Sequence, residues 1–181
     1  RVISIALIHE ELHEGKGIDK LNFPLYLQRL VENLFRTYTL GNVDISLSMY
    51  LEENFFFDMD TAVPLGLIVN ELVSNSLKYA FEGREKGIIQ IKLSREESRK
   101  ENREYIDSGQ VNKEKGYANT RFALSVSDNG VGMPESFSLE NSDTLGTQLV
   151  TTLVAQLDGE LELNRDSGTE FVIRFSIPDR K

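Results

Sequence analysis

Asn70-Glu71-Leu72-Val73-Ser74-Asn75-Ser76-Leu77-Lys78-Tyr79-Ala80 is the stretch on which the fold turns. It lies in a segment that reads as a helix over residues 60–81, with Asp60 as N-cap and Pro64 in the first turns. At about 100° per residue, Leu65, Val69, Leu72, Ser76 and Ala80 share a face that can pack on a sheet. Glu71, Asn75 and Lys78 fall within roughly 60° of one another on a second face. A helix with one core stripe and one acid–amide–amine stripe can hold a polar ligand. Asn75 offers a neutral oxygen to a hard cation such as magnesium, and Lys78 offers a positive charge to a phosphate. A solvated face with a helical Glu–Lys pair explains the same pattern equally well.

Outward from this helix the chain alternates between two periods. Upstream, residues 2–14 read as a helix with Ile5, Ile8 and Leu12 on one stripe, ended by Gly15-Lys16-Gly17. Phe23-Pro24 opens a second helix to about residue 38, with Leu27, Leu30, Val31, Leu34 and Phe35 at helical spacing. Past a turn at Gly41-Asn42, residues 43–51 alternate as a half-buried strand. Downstream, residues 88–93 form a short strand. Residues 94–120 open on the charged run Ser94-Arg95-Glu96-Glu97-Ser98-Arg99-Lys100-Glu101 and read as a solvated insertion between neighbouring strands, a docking loop being the lesser alternative. Residues 122–126 are a strand, and 130–145 a long loop without periodicity. Residues 146–157 are a helix closed by Asp158-Gly159. Strands over 160–164 and 170–177 flank a turn at Asp166-Ser167-Gly168. The expected architecture is α/β: one mixed, mostly antiparallel sheet with helices on one face, a two-layer sandwich.

Composition narrows the function. The 181 residues, 40% hydrophobic and 27% charged, suit one domain with its own core. The net charge of −9 argues against a nucleic-acid partner, because phosphate backbones reward basic surfaces. It leaves room for a small anion whose charge magnesium offsets. Without cysteine there is no disulfide or thiolate metal site, in keeping with a cytoplasmic location. No apolar run approaches the ~20 residues that span a bilayer. Arg1-Val2-Ile3-Ser4 lacks the layout of a signal peptide and begins inside an amphipathic pattern, so a longer parent protein, itself free to carry a membrane anchor, is expected.

Three more motifs follow the helix. Asp128-Asn129-Gly130-Val131-Gly132 stands directly after the strand over 122–126. A carboxylate there can accept from an exocyclic amine such as adenine's, and glycines let backbone pass close to a flat ring. A plain turn reads as well. Leu145-Gly146-Thr147-Gln148-Leu149 marks the entry to a helix, whose first amides attract phosphate. Ser167-Gly168-Thr169 can set a hydroxyl near a base or simply close a hairpin. Each signal is weak alone; the order and spacing of the four are specific.

In that order and spacing the sequence resembles the Bergerat-fold ATPase superfamily of sensor histidine kinases, anti-sigma serine kinases, DNA gyrases, mismatch-repair ATPases and heat-shock ATPase chaperones. Residues 71–80 look like its N box, 128–132 and 145–149 like its first two glycine boxes, and 167–169 like its last. The resemblance covers about residues 20–178. The Lys78-Tyr79 ending is similar to the sensor-histidine-kinase form. Residues 1–10 are similar to the second dimerisation helix of one histidine-kinase subfamily, whose phosphorylated histidine sits on the preceding helix. A partial dimerisation region over 1–17 and an ATP-binding catalytic domain over 18–181 are implied. Two departures stand out. The second glycine box has one glycine where many relatives have two, and no phenylalanine box stands in the 130–145 loop, where Phe137 reads as a lid anchor.

The resemblance implies ATP and magnesium bound between the N-box helix and a lid over 130–145. Asp128 is expected to bind the adenine amine, with Gly130, Gly132 and Thr169 near the base. Asn75 is expected to hold magnesium, Lys78 and its neighbour Tyr79 to contact nucleotide, and Gly146 and Thr147 to receive the outer phosphates. Glu71 and Asn75 are the implied catalytic residues; Glu71 orders magnesium's water shell in kinases and activates water in hydrolysing relatives. The γ-phosphoryl would pass to a histidine on a dimerisation helix missing from this sequence. A response regulator and a homodimeric full-length protein are implied partners, with the fragment itself compatible with a monomer. A Bergerat-fold ATPase, a serine kinase, and a non-catalytic nucleotide-binding module are the alternatives. His9-Glu10 starts like an acceptor box, but Glu11-Leu12-His13 does not continue it, and His9 and His13 lack a third metal ligand. They read as surface histidines of a helix.

Overall fold

The computed structural model describes residues 20–38, 44–96, 104–107, 110–113, 119–139 and 144–178. The helix expected over 2–14, the boundary at 17/18, both histidines and the Gly41-Asn42 turn lie outside the described residues. In chain order the elements are β1 (Leu21–Asn22), α1 (Phe23–Tyr38), β2 (Asp44–Leu51), β3 (Phe56–Phe57) and α2 (Met59–Asn75), which a π-helical turn (Ser76–Ala80) continues. Then come β4 (Lys86–Glu96), β5 (Glu104–Asp107), β6 (Gln110–Lys113), β7 (Asn119–Asp128), α3 (Leu145–Gln156), β8 (Glu160–Asn164) and β9 (Thr169–Pro178). Among the described residues no helix is long and apolar enough to cross a membrane.

Five strands form one sheet in the order β2-β4-β7-β9-β8. β2 and β4 run parallel, and every other neighbouring pair is antiparallel. A parallel pair needs a crossover, which α2 supplies. Alternation decides the two faces. Ile91 and Leu93 of β4, Phe122, Leu124 and Val126 of β7, and Ile173 and Phe175 of β9 are buried against the helices, while Ile89 of β4 is buried in a smaller cluster with Ala80 and Phe81. Leu30 and Leu34 of α1, Leu65, Ile68 and Val69 of α2, and Val150 and Val154 of α3 meet them. The two-layer α/β sandwich expected from the sequence is the fold observed.

An aromatic cluster closes the core at the early end of β7. Phe122 packs edge-on to Phe55 (4.9 Å) and Phe57 (5.1 Å), and Phe57 reaches Phe23 of α1 (5.1 Å). Such pairs contribute roughly 0.5–1.5 kcal/mol each beyond their buried area. They fasten the small β1–β3 ribbon to the sheet, six residues and so about 20 Å from the other end of β7.

Several boundaries differ from expectation for identifiable reasons. α2 is capped by Asp58, whose carboxylate accepts from the Thr61 amide at 3.1 Å, rather than by Asp60. Asp60 sits in the first turn, where the helix dipole favours an acid. β4 continues through Ser94-Arg95-Glu96 because Arg95 covers the ring of Phe55 at 5.5 Å and Glu96 pairs with two arginines. The 94–120 segment does join neighbouring antiparallel strands, and it contains the β5–β6 ribbon that its charge obscured. At the end of α3 the left-handed residue is Asp158 (φ 49°), with Gly159 following it.

Candidate functional site

A cavity of about 410 Å³ opens between α2 with its π-turn, the loop after β7, and the start of α3. Its floor is the end of β7. Asp128, the last residue of that strand, is in register with Thr169, the first of β9. Asp128 is only 8% exposed, and its carboxylate is engaged from behind. The Ser76 hydroxyl donates to its Oδ2 at 2.7 Å, and the Gly130 amide donates to Oδ1 at 3.0 Å. Both donors are neutral, and each carboxylate oxygen has a lone pair left for a further donor.

Close backbone approach fixes that floor. Gly168 has φ of +124°, and a Cβ there would run into the Asp128 carbonyl. Gly130 presses equally hard on the Ala80 carbonyl, which also accepts from the Val131 amide at 2.8 Å. Gly130 therefore supports the site from behind, outside the cavity lining, whereas Gly132 lines it.

The opposite end is a helix N-terminus. Thr144 is the N-cap of α3, and Gly146 and Thr147 lie in its first turn facing the cavity. A Cβ on Gly146 would stand 3.2 Å from Glu71 Oε2 and 3.7 Å from Asn75 Nδ2. The acid and amide of α2 thus face the first amides of α3 across a narrow gap. Those amides carry the partial positive charge that attracts anions. Among the described residues no three His, Asp or Glu side chains gather to hold a metal by themselves.

Two expected residues separate at the rim. Tyr79 lines the cavity and is 65% exposed. Lys78 stands outside the lining, its ammonium 5.1 Å above the ring of Tyr38. The wider π-turn delays the α-helical phase, so a residue placed at 100° steps from Glu71 is displaced. The side walls are apolar: Leu72, Met133, Phe137, Val150 and Phe171. Ser76, Met133 and Phe171 were missed as site residues. Ser76 lies on the sheet-facing stripe as expected, but nothing local marks which strand-end residue it would meet. Of the loop over 130–145, residues 140–143 lie outside the described residues.

The family model described as histidine kinase-, DNA gyrase B- and HSP90-like ATPase matches residues 60–180. The chain belongs to that family. A further model, described as histidine kinase, matches residues 1–38. The sensor histidine kinase PdtaS of Mycolicibacterium smegmatis is 32% identical over 186 residues, 99% of this chain and 32% of its own length. The blue-light-activated histidine kinase 2 of Erythrobacter litoralis is 27% identical, across 98% of this chain and 45% of its own length. Among solved structures, the histidine kinase domain of an Erythrobacter litoralis blue-light activated histidine kinase superposes with a TM-score of 0.72 at 25% identity, covering 98% of this chain and 72% of that one. This member of the ATPase family therefore spans from about a third to somewhat under half of the length of the curated relatives it matches.

Proposed function

We propose that the cavity binds Mg-ATP and that, in the whole protein, the γ-phosphoryl group is transferred to a histidine on a dimerisation helix outside this sequence. The observation that carries the reading is the polarity of the cavity. A buried carboxylate held by neutral donors stands at one end, and a helix N-terminus facing Glu71 and Asn75 stands at the other. The first end suits an exocyclic amine, and the second suits phosphates. The donor set also fits magnesium, which takes one or two protein oxygens and fills its shell with phosphate oxygens and water. Asn75 and Glu71 would hold it, Asn75 directly and Glu71 through the metal's water shell.

Bound Mg-ATP supplies an activated phosphoryl group and neutralises part of its own charge. The residues of this chain bind, orient and exclude water. Asp128 and Thr169 orient the base, the apolar side walls keep water away, and Gly146 and Thr147 present amides to the outer phosphates. Lys78, whose ammonium lies over Tyr38 outside the cavity lining, becomes a second phosphate contact only by leaving that ring. A response regulator and a second copy of the full-length protein complete the implied assembly.

Calorimetry with ATP, ADP and GTP, with and without magnesium, tests the site. ATP should bind in a magnesium-dependent way and GTP should not compete. The chain alone should not label itself with the γ-phosphate; acid-labile phosphate on His9 would overturn that half. Hydrolysis is the second reading, favoured by the buried Glu71 carboxylate facing the α3 N-terminus. Steady phosphate release without any acceptor, abolished by Glu71→Gln, would favour it over transfer.

A further inference from the structure

We propose that Tyr38 competes with phosphate for the Lys78 ammonium, holding it off the cavity until a nucleotide takes it; the proposal rests on the nucleotide reading above. Lys78 and Tyr79 are neighbours on one turn, yet only Tyr79 lines the cavity. The Lys78 ammonium lies 5.1 Å from the centroid of the Tyr38 ring, at the last residue of α1. The ring is not there by virtue of the lysine alone. Phe35, nearly one turn earlier on α1, packs with Leu77 against Ala80 and Phe81. These apolar contacts bolt the end of α1 to the π-turn and keep the ring within reach of a four-carbon stem.

The contact has a calculable consequence. Both partners are exposed at the surface, where an ammonium over an aromatic face is favoured by about two- to five-fold over the free side chain. A multiply charged phosphate outbids a ring quadrupole, so the ligand wins the lysine. The ring contact nevertheless reduces the competent fraction, and apparent affinity falls by that fraction. By reciprocity, ATP that captures Lys78 frees Tyr38, so occupancy of the cavity is reported at the end of α1.

The test is a double-mutant cycle read by calorimetry with Mg-ATP on the intact chain. Tyr38→Leu, which keeps apolar bulk but removes the ring, should tighten ATP by about three- to six-fold. Tyr38→Phe, which keeps the ring, should match the parent. In a Lys78→Ala background, Tyr38→Leu should change nothing. An unchanged or weakened affinity in Tyr38→Leu, or the same gain without Lys78, overturns the proposal. A readout on the unmutated chain guards against a variant that fails to fold. The ring-current shift of the Lys78 ε-methylene protons should vanish at saturating ATP, and its persistence at saturation is equally fatal. Failure of ATP to bind the parent at all overturns the nucleotide reading itself, whereas binding indifferent to Tyr38 overturns only the competition.

Discussion

The two faces of the sheet treat carboxylates in opposite ways, and β7 carries the contrast within one strand. At its late end Asp128 points into the helical layer, buried, and receives its hydrogen bonds among the described residues from a hydroxyl and an amide. Near its early end Arg121 points outward and starts a ladder of charges. Arg121 lies 3.0 Å from Glu96 and 2.7 Å from Glu160, and Arg174 lies 3.0 Å from Glu96 and 2.6 Å from Glu162. The outer carboxylates are neutralised by arginine and have little charge left to offer a ligand. The inner one is positioned without being neutralised. A binding carboxylate needs that arrangement, because fixed neutral donors hold its geometry while its charge remains available.

The comparison is most easily broken at Gly168. Gly168→Ala should destabilise the fold by about 3 kcal/mol, since a Cβ at positive φ must also displace the Asp128 carbonyl. Gly83 offers a control: its φ is +72°, but a methyl group added there would meet nothing within 4 Å. Gly83→Ala should cost only about 1 kcal/mol. Equal losses in urea denaturation would mean that backbone conformation, and not the close approach of β9 to β7, sets the floor. Next comes Asp128→Asn, expected to weaken Mg-ATP roughly thirty-fold, about 2 kcal/mol. An amide has one acceptor oxygen where the carboxylate has two, and its NH2 must face the Gly130 amide, the ligand amine or the Ser76 hydroxyl, of which only the hydroxyl can also accept. Lys78→Ala should cost less, because solvent and magnesium also serve phosphate. Calorimetry showing equal losses would count against Asp128 as the base-reading group. Ser76→Ala should weaken ATP by about five-fold, near 1 kcal/mol, and Ser76→Thr should recover part of it. An unaffected affinity would mean the Gly130 amide suffices to aim the carboxylate.

The same contrast explains what could be read in advance. The core stripe of α2 and the alternation of β4, β7 and β9 depend on short-range periodicity, so they are legible from side-chain type alone. The glycines were legible too: a Cβ at Gly168 would strike the Asp128 carbonyl, and one at Gly146 would crowd the Glu71 carboxylate at 3.2 Å. What escaped depends on register between distant segments. Ser76 finds Asp128 across 52 positions of sequence, and the pairing of Asp128 with Thr169 follows from how β7 and β9 align. The position of Lys78 escaped for a local reason: the change from α to π winding after Asn75 carries no compositional mark. The short β1–β3 ribbon was missed because two-residue strands have no period to detect.

The weakest expected effect tests the outer face. The Arg174 hydrogen bond, and then its charge, hold the Glu162 carboxyl below the usual carboxylate range. Arg174 is raised in turn, first by its hydrogen bond to Glu162 and then by the one to Glu96. A carboxyl with a folded pKa below its unfolded value binds fewer protons when folded. Its contribution is fully present above the unfolded pKa and is lost as the pH falls through the folded one. The melting temperatures of the parent and Glu162→Gln should therefore differ slightly at neutral pH and converge in acid. The gap should be small because the pair is at the surface, and added salt should narrow it at neutral pH. Mg-ATP affinity should be the same in both proteins, since Glu162 lies on the face away from the cavity. A gap that survives both acid and salt would show that Glu162 acts through something other than its charge. A loss of ATP binding in Glu162→Gln would join the two faces energetically and end the division of labour between them.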